Sequence, residues 1–422
     1  MKLQKILTRL QKLHPKEIDL SLDRIKKLAK KLDNPQDKIN CIQVCGTNGK
    51  FSTIAFLRAI LKEANYKCNI YTSPHIKKIN ERFIYNDEEI QDDELANLLE
   101  EVEEINDGDP ITFFEILTAA FFHGCKKYSN NLTICEYGLF ARFDAVNILK
   151  KNLANIITSC GLDHLDWLPK DERTIEKIVF EKTSNLLNSN IIVARQSSKK
   201  ITDCIKQNLF KNPAKKIFFN EDYSYSLNEN GFFYYQDKYG DLKLPLPNVL
   251  GEFQLDNAST AISTLRTLEK LQIKDHHIKS GITKVKSIAR LQEIKNGNIK
   301  NLCKNNKIFC DGSHNPDGAK VLNTFLETLN CKKHIILGMM ANKDHRQYIE
   351  HFKNISSITT IDIPNQPNSI NGEDLKKKLS NYPNVKYKHS IEDAIKSIEL
   401  SENDIVLITG SLYLAGEILN KN

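Results

Sequence analysis

The stretch NCIQVCGTNGKFSTIAFLRAILKEA, residues 40–64, decides the fold class because it joins an apolar run, a glycine loop and a helical pattern. Residues 40–45 are predicted to form a buried strand, and residues 52–64 are predicted to form a helix. A glycine loop between a strand and a helix is the context in which proteins bind phosphate groups, since backbone N–H groups at the helix start point at the ligand. The stretch therefore indicates an α/β protein with a nucleotide site.

Within this loop, Lys50 would neutralise the terminal phosphates of a nucleotide, and Ser52 or Thr53 could bind Mg²⁺. The spacing differs from the usual phosphate loop because Phe51 separates the lysine from the hydroxyl residues. An ordinary glycine turn followed by a Ser/Thr helix cap is the alternative interpretation.

Apolar strand patterns alternate with helical patterns along the whole chain, which favours a parallel α/β architecture. The periodicity weakens over residues 290–306, where an Asn-Gly turn signal occurs, and a second strand–helix series follows. We therefore expect two domains, residues 1–293 and residues 294–422.

The composition describes a globular protein without a membrane span or a signal peptide, with 40% hydrophobic and 27% charged residues and a net charge of +7. Its basic residues are mostly lysines spread along the chain, so a small anionic substrate explains the charge as well as nucleic acid does. The ten cysteines form no CxxC pair, which favours reduced thiols and a cytoplasmic location.

Polar side chains follow several of the predicted strands at their carboxyl ends. Ser73 and His75 follow the strand predicted at residues 68–72, Glu136 ends another, and His164 follows the strand predicted at residues 155–160. Ligands of open α/β sheets bind at this edge, and a hydroxyl, a carboxylate and an imidazole there could hold Mg²⁺ around a nucleotide. Singly, each residue could equally be a solvated or structural side chain.

Many stretches of the chain, taken in order, resemble those of the folylpolyglutamate synthase/dihydrofolate synthase family of the Mur ligase superfamily. They are GTNGKFST, TSPHIKKINERF, TFFEILTAAF, EYGLFARFDAVN, TSCGLDHLDWL, EKTSNL, DGSHNP, GMMANKD and TGSLYLAGE. The resemblance covers nearly the whole chain.

This resemblance implies a P-loop-type parallel-sheet ATPase domain followed by a smaller Rossmann-like domain. It also implies an ATP- and Mg²⁺-dependent acid–amino-acid ligase that acts as a cytoplasmic monomer, with no nucleic-acid or membrane partner. In the family, ATP phosphorylates the glutamyl γ-carboxylate of a folate, or the carboxylate of dihydropteroate, and the amine of L-glutamate attacks the acyl phosphate.

Site residues carried over from the resemblance fall into four groups. The ATP contacts are Gly46, Thr47, Asn48, Gly49, Lys50, Phe51, Ser52, Asn257, Arg290 and Asp311. The metal positions are Ser73, Glu136 and His164. The folate-side positions are Thr112, Phe113, Phe114, Glu115, Phe143, Asp144 and Ala145, together with an N-terminal segment, residues 18–24. The catalytic candidates are Lys50, Lys182, which is carboxylated in the family, and His314; Ser411 accompanies His314.

The chain departs from the family at three loop positions. Phe51 replaces one glycine, Phe140 and Ala141 replace two more, and residues 183–185 replace Ala-Gly-Ile. Glycine allows a positive φ or a close approach to ligand, so these changes raise the question of whether the loops still work. We hypothesise that the rings of Phe51 and Phe140 pack together beside the site.

Three other functions remain open on the sequence. A folate- or nucleotide-binding homologue with weakened catalysis would explain the altered loops. A cell-wall Mur-type ligase would share the nucleotide loop, although TFFE and the absence of a preceding sugar-nucleotide domain point away from it. A generic phosphate-loop phosphotransferase would leave the motifs of the second domain unexplained.

Overall fold

The computed structural model describes residues 2–16, 19–228 and 231–422, so Ile18 at the start of the predicted folate-side segment lies outside the described residues. The chain divides into two compact units, which are described separately. Unit 1 comprises Met1–Asn248 and Asp256–Val285, and unit 2 comprises Val249–Leu255 and Lys286–Asn422. The domain boundary that we expect from the sequence, between residues 293 and 294, stays a prediction.

Unit 1 is built on an eight-stranded sheet in the order β4-β3-β2-β5-β1-β6-β7-β8. Its strands are β1 (Asn40–Cys45), β2 (Cys68–Tyr71), β3 (Phe83–Tyr85), β4 (Glu88–Glu89), β5 (Leu132–Glu136), β6 (Ala154–Ile157), β7 (Asn190–Val193) and β8 (Lys216–Phe218). The strands from β2 to β8 along this order run parallel, and β3 and β4 are added antiparallel at one edge.

Nine helices and a small second sheet complete the described part of unit 1. The helices are α1 (Lys2–Leu10), α2 (Asp23–Lys31), α3 (Lys50–Glu63), α4 (Asp92–Asn106), α5 (Phe113–Cys125), α6 (Ile175–Thr183), α7 (Lys199–Leu209), α8 (Phe253–Thr267, whose first turn clusters with unit 2) and α9 (Asp275–Ile282). The small sheet is antiparallel, in the order β11-β10-β9, with β9 (Tyr223–Leu227), β10 (Phe233–Asp237) and β11 (Leu242–Leu244).

Unit 2 contains a six-stranded sheet in the order β12-β13-β17-β14-β15-β16, parallel except for β12. Its strands are β12 (Gln292–Glu293), β13 (Lys307–Cys310), β14 (Lys333–Leu337), β15 (Ser357–Ile361), β16 (Val385–Lys388) and β17 (Ile405–Thr409). Its helices are α10 (Asn298–Leu302), α11 (Pro316–Glu327), α12 (His345–Glu350), α13 (Gly372–Lys378), α14 (Ile391–Lys396) and α15 (Leu412–Lys421). The predicted fold class, two parallel α/β sheets, is confirmed.

Burial explains why the central strands are parallel. All residues of β1 except the first are buried, and β5 is buried throughout, as expected for strands covered by helices on both faces. On one face, Tyr71 stacks on Phe121 of α5 at 4.9 Å between ring centroids. This packing covers one face of the sheet beneath the loops that leave its carboxyl edge.

The register of three strands determines where those loops meet. Val44 of β1 lies opposite Glu136 of β5, and Cys45 lies opposite Ile157 of β6. The segments after β1, β5 and β6 therefore leave the sheet side by side.

Within the described residues, none of the helices combines the length and the apolar character needed to cross a membrane.

Candidate active site

The phosphate loop depends on two glycines with left-handed backbone conformations. Gly46 has φ +134°, and an added Cβ would lie 2.0 Å from Oγ1 of Thr158. Gly49 has φ +92°, and its Cβ would lie 2.5 Å from Oδ1 of Asn257. Only glycine fits these positions, because a side chain would both strain the backbone and collide with a neighbour.

Replacement of Gly46 by alanine should therefore weaken nucleotide binding without unfolding the protein. We expect the dissociation constant of Mg·ADP to rise about tenfold, since displacement of the loop from Thr158 costs on the order of 1–2 kcal/mol. Calorimetric titration with Mg·ADP measures this change, and Gly108→Ala is a matched control because Gly108 also has a positive φ of +68° but faces open space. An equal loss of affinity in both variants would contradict the role assigned to Gly46.

The loop is fastened to the segment that follows β6. The backbone N–H groups of Thr47 and Asn48 donate to the carbonyl of Ser159, at 2.8 and 3.1 Å. The Thr47 hydroxyl also donates to the Gly161 carbonyl. Asn257 lies against the same loop, where its Oδ1 is 3.4 Å from the hydroxyl of Thr53. The structure thus brings the predicted ATP contact Asn257 to the loop.

Phe51 and Ser52 lie in the first turn of α3, which begins at Lys50. Ser52 and Thr53 are buried, whereas Phe51 is half-buried. Among the described residues with positive φ, neither Phe51, Phe140 nor Ala141 occurs. These positions therefore adopt conformations open to any side chain, so the missing glycines do not strain the two loops.

Lys50, Glu136 and Ser73 converge at the carboxyl edge of the sheet. The Lys50 ammonium lies 3.7 Å from Oε1 of Glu136 and donates to the carbonyls of Gly46 and Thr47 at 3.2 and 3.3 Å. The Ser73 backbone N–H donates to Oε2 of Glu136 at 3.2 Å. The Ser73 hydroxyl is buried and has no hydrogen-bond partner within the described part of the chain.

This geometry fits a bound magnesium ion. A buried hydroxyl oxygen without a partner, next to a carboxylate, is a costly arrangement unless a cation or water satisfies it. Across the described residues, no three His, Cys, Asp or Glu side chains gather closely enough to hold a metal. A magnesium ion here would therefore need oxygen ligands from Ser73 and from nucleotide phosphates besides Glu136.

Lys182 lies inside the protein with only 2% of its surface exposed. Its ammonium donates to the carbonyls of Leu139 and Gly46 at 2.8 and 3.1 Å. Burial, together with the nearby charge of Lys50, lowers the pKa of Lys182 from 10.5 to about 8. Lys182 is thus a lysine with a sizeable neutral fraction near physiological pH, as carboxylation by CO₂ requires.

The third expected metal position, His164, has a left-handed backbone with φ 58°. Its backbone N–H donates to Oδ1 of Asp163 at 2.8 Å. Its ring meets the Phe140 ring edge-on, with 6.5 Å between the ring centroids. The Lys182 ammonium lies 5.6 Å from the same Phe140 ring. His164 and Lys182 therefore flank one aromatic side chain.

Phe140 is buried in a small apolar cluster with Leu139, Leu168 and Ile178. The ring therefore turns into the protein, as expected for a phenylalanine that replaces glycine beside a charged site. The hypothesised contact between Phe51 and Phe140 stays a prediction.

The predicted folate-side residues meet around Gly138. Phe114 lies so close that a Cβ on Gly138 would be 2.8 Å from the Phe114 ring. The buried carboxylate of Asp144 accepts from the N–H groups of Gly138, Leu139 and Val146 at 2.8 to 3.1 Å. Burial raises the pKa of Asp144 to about 6. These contacts bring two predicted substrate residues, Phe114 and Asp144, to one place.

Other folate-side residues have structural contacts of their own. Thr112 caps α5 in a capping box with Glu115, whose Oε2 also accepts from Nε of Arg24 at 2.9 Å. The second carboxylate oxygen of Glu115, Oε1, is buried without a hydrogen-bond partner in the described residues. A role for this oxygen in accepting from a donor group of a substrate stays a prediction. Phe113 begins α5, Phe143 lies 4.4 Å from the guanidinium of Arg142, and Ala145 is buried.

In unit 2, the predicted residues cluster after β13. The Asp311 carboxylate accepts from the N–H groups of Leu291 and Ser313 at 2.6 and 2.7 Å, and burial raises its pKa. Ala289 and Leu291, which flank Arg290, both have positive φ, 53° and 47°. Positive φ on both sides of one residue is unusual outside glycine and is a mark of functional segments. The sequence carried no signal for this backbone conformation.

His314 follows Asp311 in the same loop. Its Nδ1 lies 2.9 Å from the carbonyl of Gly312, which can only accept, so Nδ1 carries a proton. In the neutral ring, Nε2 is then the nitrogen that carries the lone pair. Ser411 caps α15 through its hydroxyl, which accepts from the N–H of Tyr413. A glutamate-handling role for either residue stays a prediction.

Several residues that contact the neighbours of Lys182 were not identified from the sequence. Arg142 pairs with Glu181, Asp163 accepts from the His164 N–H, and Thr158 packs on Gly46. A signal was present for the first pair, because an arginine follows the metal-ligand strand and a glutamate precedes the lysine in EKTSNL. The sequence favours a solvated helix residue at Glu181, but only 2% of its surface is exposed in the structure.

The comparisons with known proteins agree with this geometry. The dihydrofolate synthase/folylpolyglutamate synthase of Bacillus subtilis is 30% identical over 420 residues, which cover 94% of each chain. The chain belongs to the dihydrofolate synthase/folylpolyglutamate synthase family. Another member of this family, from Escherichia coli, is 27% identical and covers 98% of the chain. Residues 290–412 match the Mur ligase, glutamate ligase domain.

Solved structures of the family are similar over nearly the whole chain. A Yersinia pestis bifunctional folylpolyglutamate synthase/dihydrofolate synthase complexed with AMPPNP and Mn ion aligns with a TM-score of 0.87 and 25% identity, covering 99% of this chain and 97% of that one. E. coli FolC in complex with DHPP and ADP aligns with a TM-score of 0.86 and 27% identity, covering 99% and 97%. The fold class and the family resemblance expected from the sequence are thus confirmed.

Proposed function

We propose that this protein is an ATP-dependent ligase that joins L-glutamate to the glutamyl γ-carboxylate of a folate. The observation that carries the proposal is the convergence of Lys50, Glu136, Ser73 and the buried Lys182 where β1, β2 and β5 end. This arrangement combines a phosphate loop, residues that fit a magnesium ion, and a lysine of lowered pKa. The acyl phosphate route of the family needs all three. Because relatives carry both synthase names, we also propose dihydropteroate as a second substrate.

The chemistry begins with a poor electrophile, the folate carboxylate. One of its oxygens attacks the γ-phosphorus of ATP, the bond to the β-phosphate oxygen breaks, and an acyl phosphate and ADP form. Lys50 and the N–H groups at the start of α3 bind the phosphates and stabilise the negative charge that grows on the leaving oxygen. Because the phosphate loop is fastened to the segment after β6, it holds the γ-phosphate in line with the attacking carboxylate.

In the second half of the reaction, the glutamate amine attacks the acyl carbon and phosphate leaves, which forms the amide. The attacking amine loses a proton as the amide forms, and a positioned base accepts it. Phe114, Asp144 and Glu115 would hold the pterin end of the substrate, away from the reacting carboxylate.

Ser73, Glu136 and His164 would hold magnesium, joined by carboxylated Lys182. When bound, the ion neutralises phosphate oxygens and so lowers the barrier to attack by an anion. The protein's own contribution would be to hold these ligands at the end of β5 and on the segments that follow β2 and β6, at the same edge of the sheet.

Glu136→Gln tests the metal role. The amide retains the shape and an oxygen but loses the charge, so magnesium should bind more weakly. We expect kcat at low Mg²⁺ to fall about a hundredfold and to recover partly at high Mg²⁺. A Mg²⁺ titration of initial rates measures this effect, with Glu104→Gln, on the exposed part of α4, as the control. An unchanged Mg²⁺ dependence would remove Glu136 from the metal site.

The proposed function is tested by ADP release from purified protein in a coupled assay. ADP formation should require a reduced folate and L-glutamate together, and omission of either should abolish it. Binding of folate and nucleotide without turnover would support the weakened homologue, and ADP release without folate would indicate a generic phosphotransferase. Stimulation by a cell-wall sugar nucleotide would favour the Mur-type alternative.

For location and assembly, we propose a cytoplasmic monomer. The support is that each of the ten cysteines is a free thiol and most are buried, as in proteins of a reducing compartment. Size-exclusion chromatography with light scattering at micromolar concentration tests the assembly.

A further inference from the structure

Arg142 and Glu181 form a fork-shaped ion pair between the segment after β5 and helix α6. Nε of Arg142 lies 2.8 Å from Oε2 of Glu181, and Nη2 lies 2.7 Å from Oε1. We infer that this pair is a positioning device for the ligase reaction, which fixes the loop of residues 138–147 to α6 and so places Lys182 against the phosphate loop. The inference rests on the proposed function.

The loop of residues 138–147 is fastened to the end of α6 at several points besides the ion pair. The Arg142 N–H donates to the carbonyl of Glu181 at 3.3 Å. The amide of Asn147 donates to the carbonyls of Ala141 and Asn185, at 2.8 and 3.1 Å. Asn185 has φ 60°, a conformation that asparagine tolerates. It is the last of residues 183–185, which stand where the family has Ala-Gly-Ile. Loop and helix end therefore form one connected structure.

Lys182 depends on this structure because its two acceptors lie on different segments. One acceptor, the Leu139 carbonyl, belongs to the loop of residues 138–147, and the other, the Gly46 carbonyl, belongs to the phosphate loop. If the loop moved relative to α6, Lys182 could not reach both. These contacts of the unmodified ammonium thus connect the loop with Gly46 and hold the amine in place for carboxylation.

The ion pair also sets the rotation of α6 about its axis. Glu181 and Lys182 are successive residues on the helix, so they point in directions about 100° apart. When both oxygens of Glu181 are held by the planar guanidinium, the direction of Lys182 is fixed as well. Phe143 and Phe180 flank the guanidinium at 4.4 and 5.5 Å from their ring centroids and limit its movement.

A second cation at Glu181 provides an internal comparison. The Lys177 ammonium lies 3.5 Å from Oε1 of Glu181, one helical turn away. This lysine stays on α6 and does not reach the loop, so its loss removes positive charge near Glu181 without releasing the loop. A purely electrostatic role for the cations would make Lys177 and Arg142 comparable, whereas a positioning role makes only Arg142 matter.

Arg142→Lys is the informative change, because lysine retains the charge but cannot make the fork. We expect Mg·ADP affinity, measured by calorimetry, to fall about tenfold and kcat to fall at least as much. The melting temperature should stay within a few degrees of the wild-type value. Lys177→Gln should bind Mg·ADP like the wild type, and Glu181→Asp, which withdraws both carboxylate oxygens by one methylene, should behave like Arg142→Lys.

Two outcomes would overturn the inference. The first is wild-type Mg·ADP affinity in Arg142→Lys, even if its melting temperature falls, since this pattern shows a merely stabilising pair. The second is an equal loss of affinity in Arg142→Lys and Lys177→Gln. Binding is measured apart from turnover, so a wild-type protein that binds Mg·ADP but forms no amide would refute the proposed function while the inference is still decided by the variants.

Discussion

Replacement of Lys50 by alanine is expected to lower kcat about a thousandfold, because the ammonium is the cation placed to meet the charge that develops on the phosphates. In the structure it lies 3.7 Å from Glu136 and over two carbonyls of the phosphate loop. Loss of the side chain should affect the chemical step more than folate binding. Steady-state rates of ADP formation, with ATP and folate varied separately, measure both effects.

The matched control for this prediction is Lys62→Ala. Lys62 lies on the same helix, α3, but in its last turn and exposed to solvent. Both changes remove one positive charge, so a general electrostatic effect would appear in each. A Lys50→Ala enzyme with more than a tenth of the wild-type kcat would contradict the role of Lys50.

Lys182→Ala should have an effect of similar size, a loss of about a thousandfold in kcat, with partial recovery when a short-chain carboxylic acid is added. The reason is that a cationic amine beside magnesium would repel the metal, whereas a carbamate on Lys182 would bind it. A carboxylic acid can occupy the space that the side chain leaves and replace the missing oxygens. Rates with and without added acetate measure the recovery.

The same hypothesis predicts the pH dependence of carboxylation. CO₂ reacts with the neutral amine, and the pKa of Lys182 is lowered to about 8. The neutral fraction, and with it the carboxylated fraction, should therefore decrease as the pH falls from about 9 to about 6. Carbon NMR with labelled bicarbonate follows the carbamate directly. An active enzyme whose intact mass and NMR spectrum show only a bare lysine would contradict this account.

The strands and loops around the carboxyl edge were predictable because apolar runs and glycine loops are local features of the sequence. Residues 40–45 form β1 as predicted, and α3 begins two residues before the predicted start at Ser52. Predicted strands at 68–72 and 155–160 extend beyond β2 and β6, which end at Tyr71 and Ile157. The excess lies at carboxyl ends, where apolar residues leave the sheet to form the loops of the site.

Contacts between segments distant in sequence could not be predicted in this way. The EKTSNL stretch alone favours a solvated helix pair, yet Glu181 and Lys182 are both buried. Their partners, Arg142 and the Leu139 carbonyl, lie about 40 residues away in the chain. Burial of a charged pair depends on tertiary packing, for which helical periodicity gives no information.

The altered loops show the limit of arguing from residue type alone. Glycine in relatives suggested that Phe51, Phe140 and Ala141 would strain the chain, but the left-handed conformations fall on Gly46 and Gly49 instead. The backbone needs of a loop are set residue by residue, so a lost glycine matters only where φ is positive or a neighbour is close. The substitutions are therefore compatible with an active enzyme.

The most direct test of the central claim, ligation through an acyl phosphate, uses a folate whose glutamyl γ-carboxylate carries heavy oxygen. The protein is incubated with this folate, ATP, Mg²⁺ and L-glutamate, and the released inorganic phosphate is analysed by mass spectrometry. The account predicts that each phosphate carries one heavy oxygen atom and that the folate product has gained one glutamyl residue. Unlabelled phosphate, or ADP formed without any glutamylated folate, would contradict it.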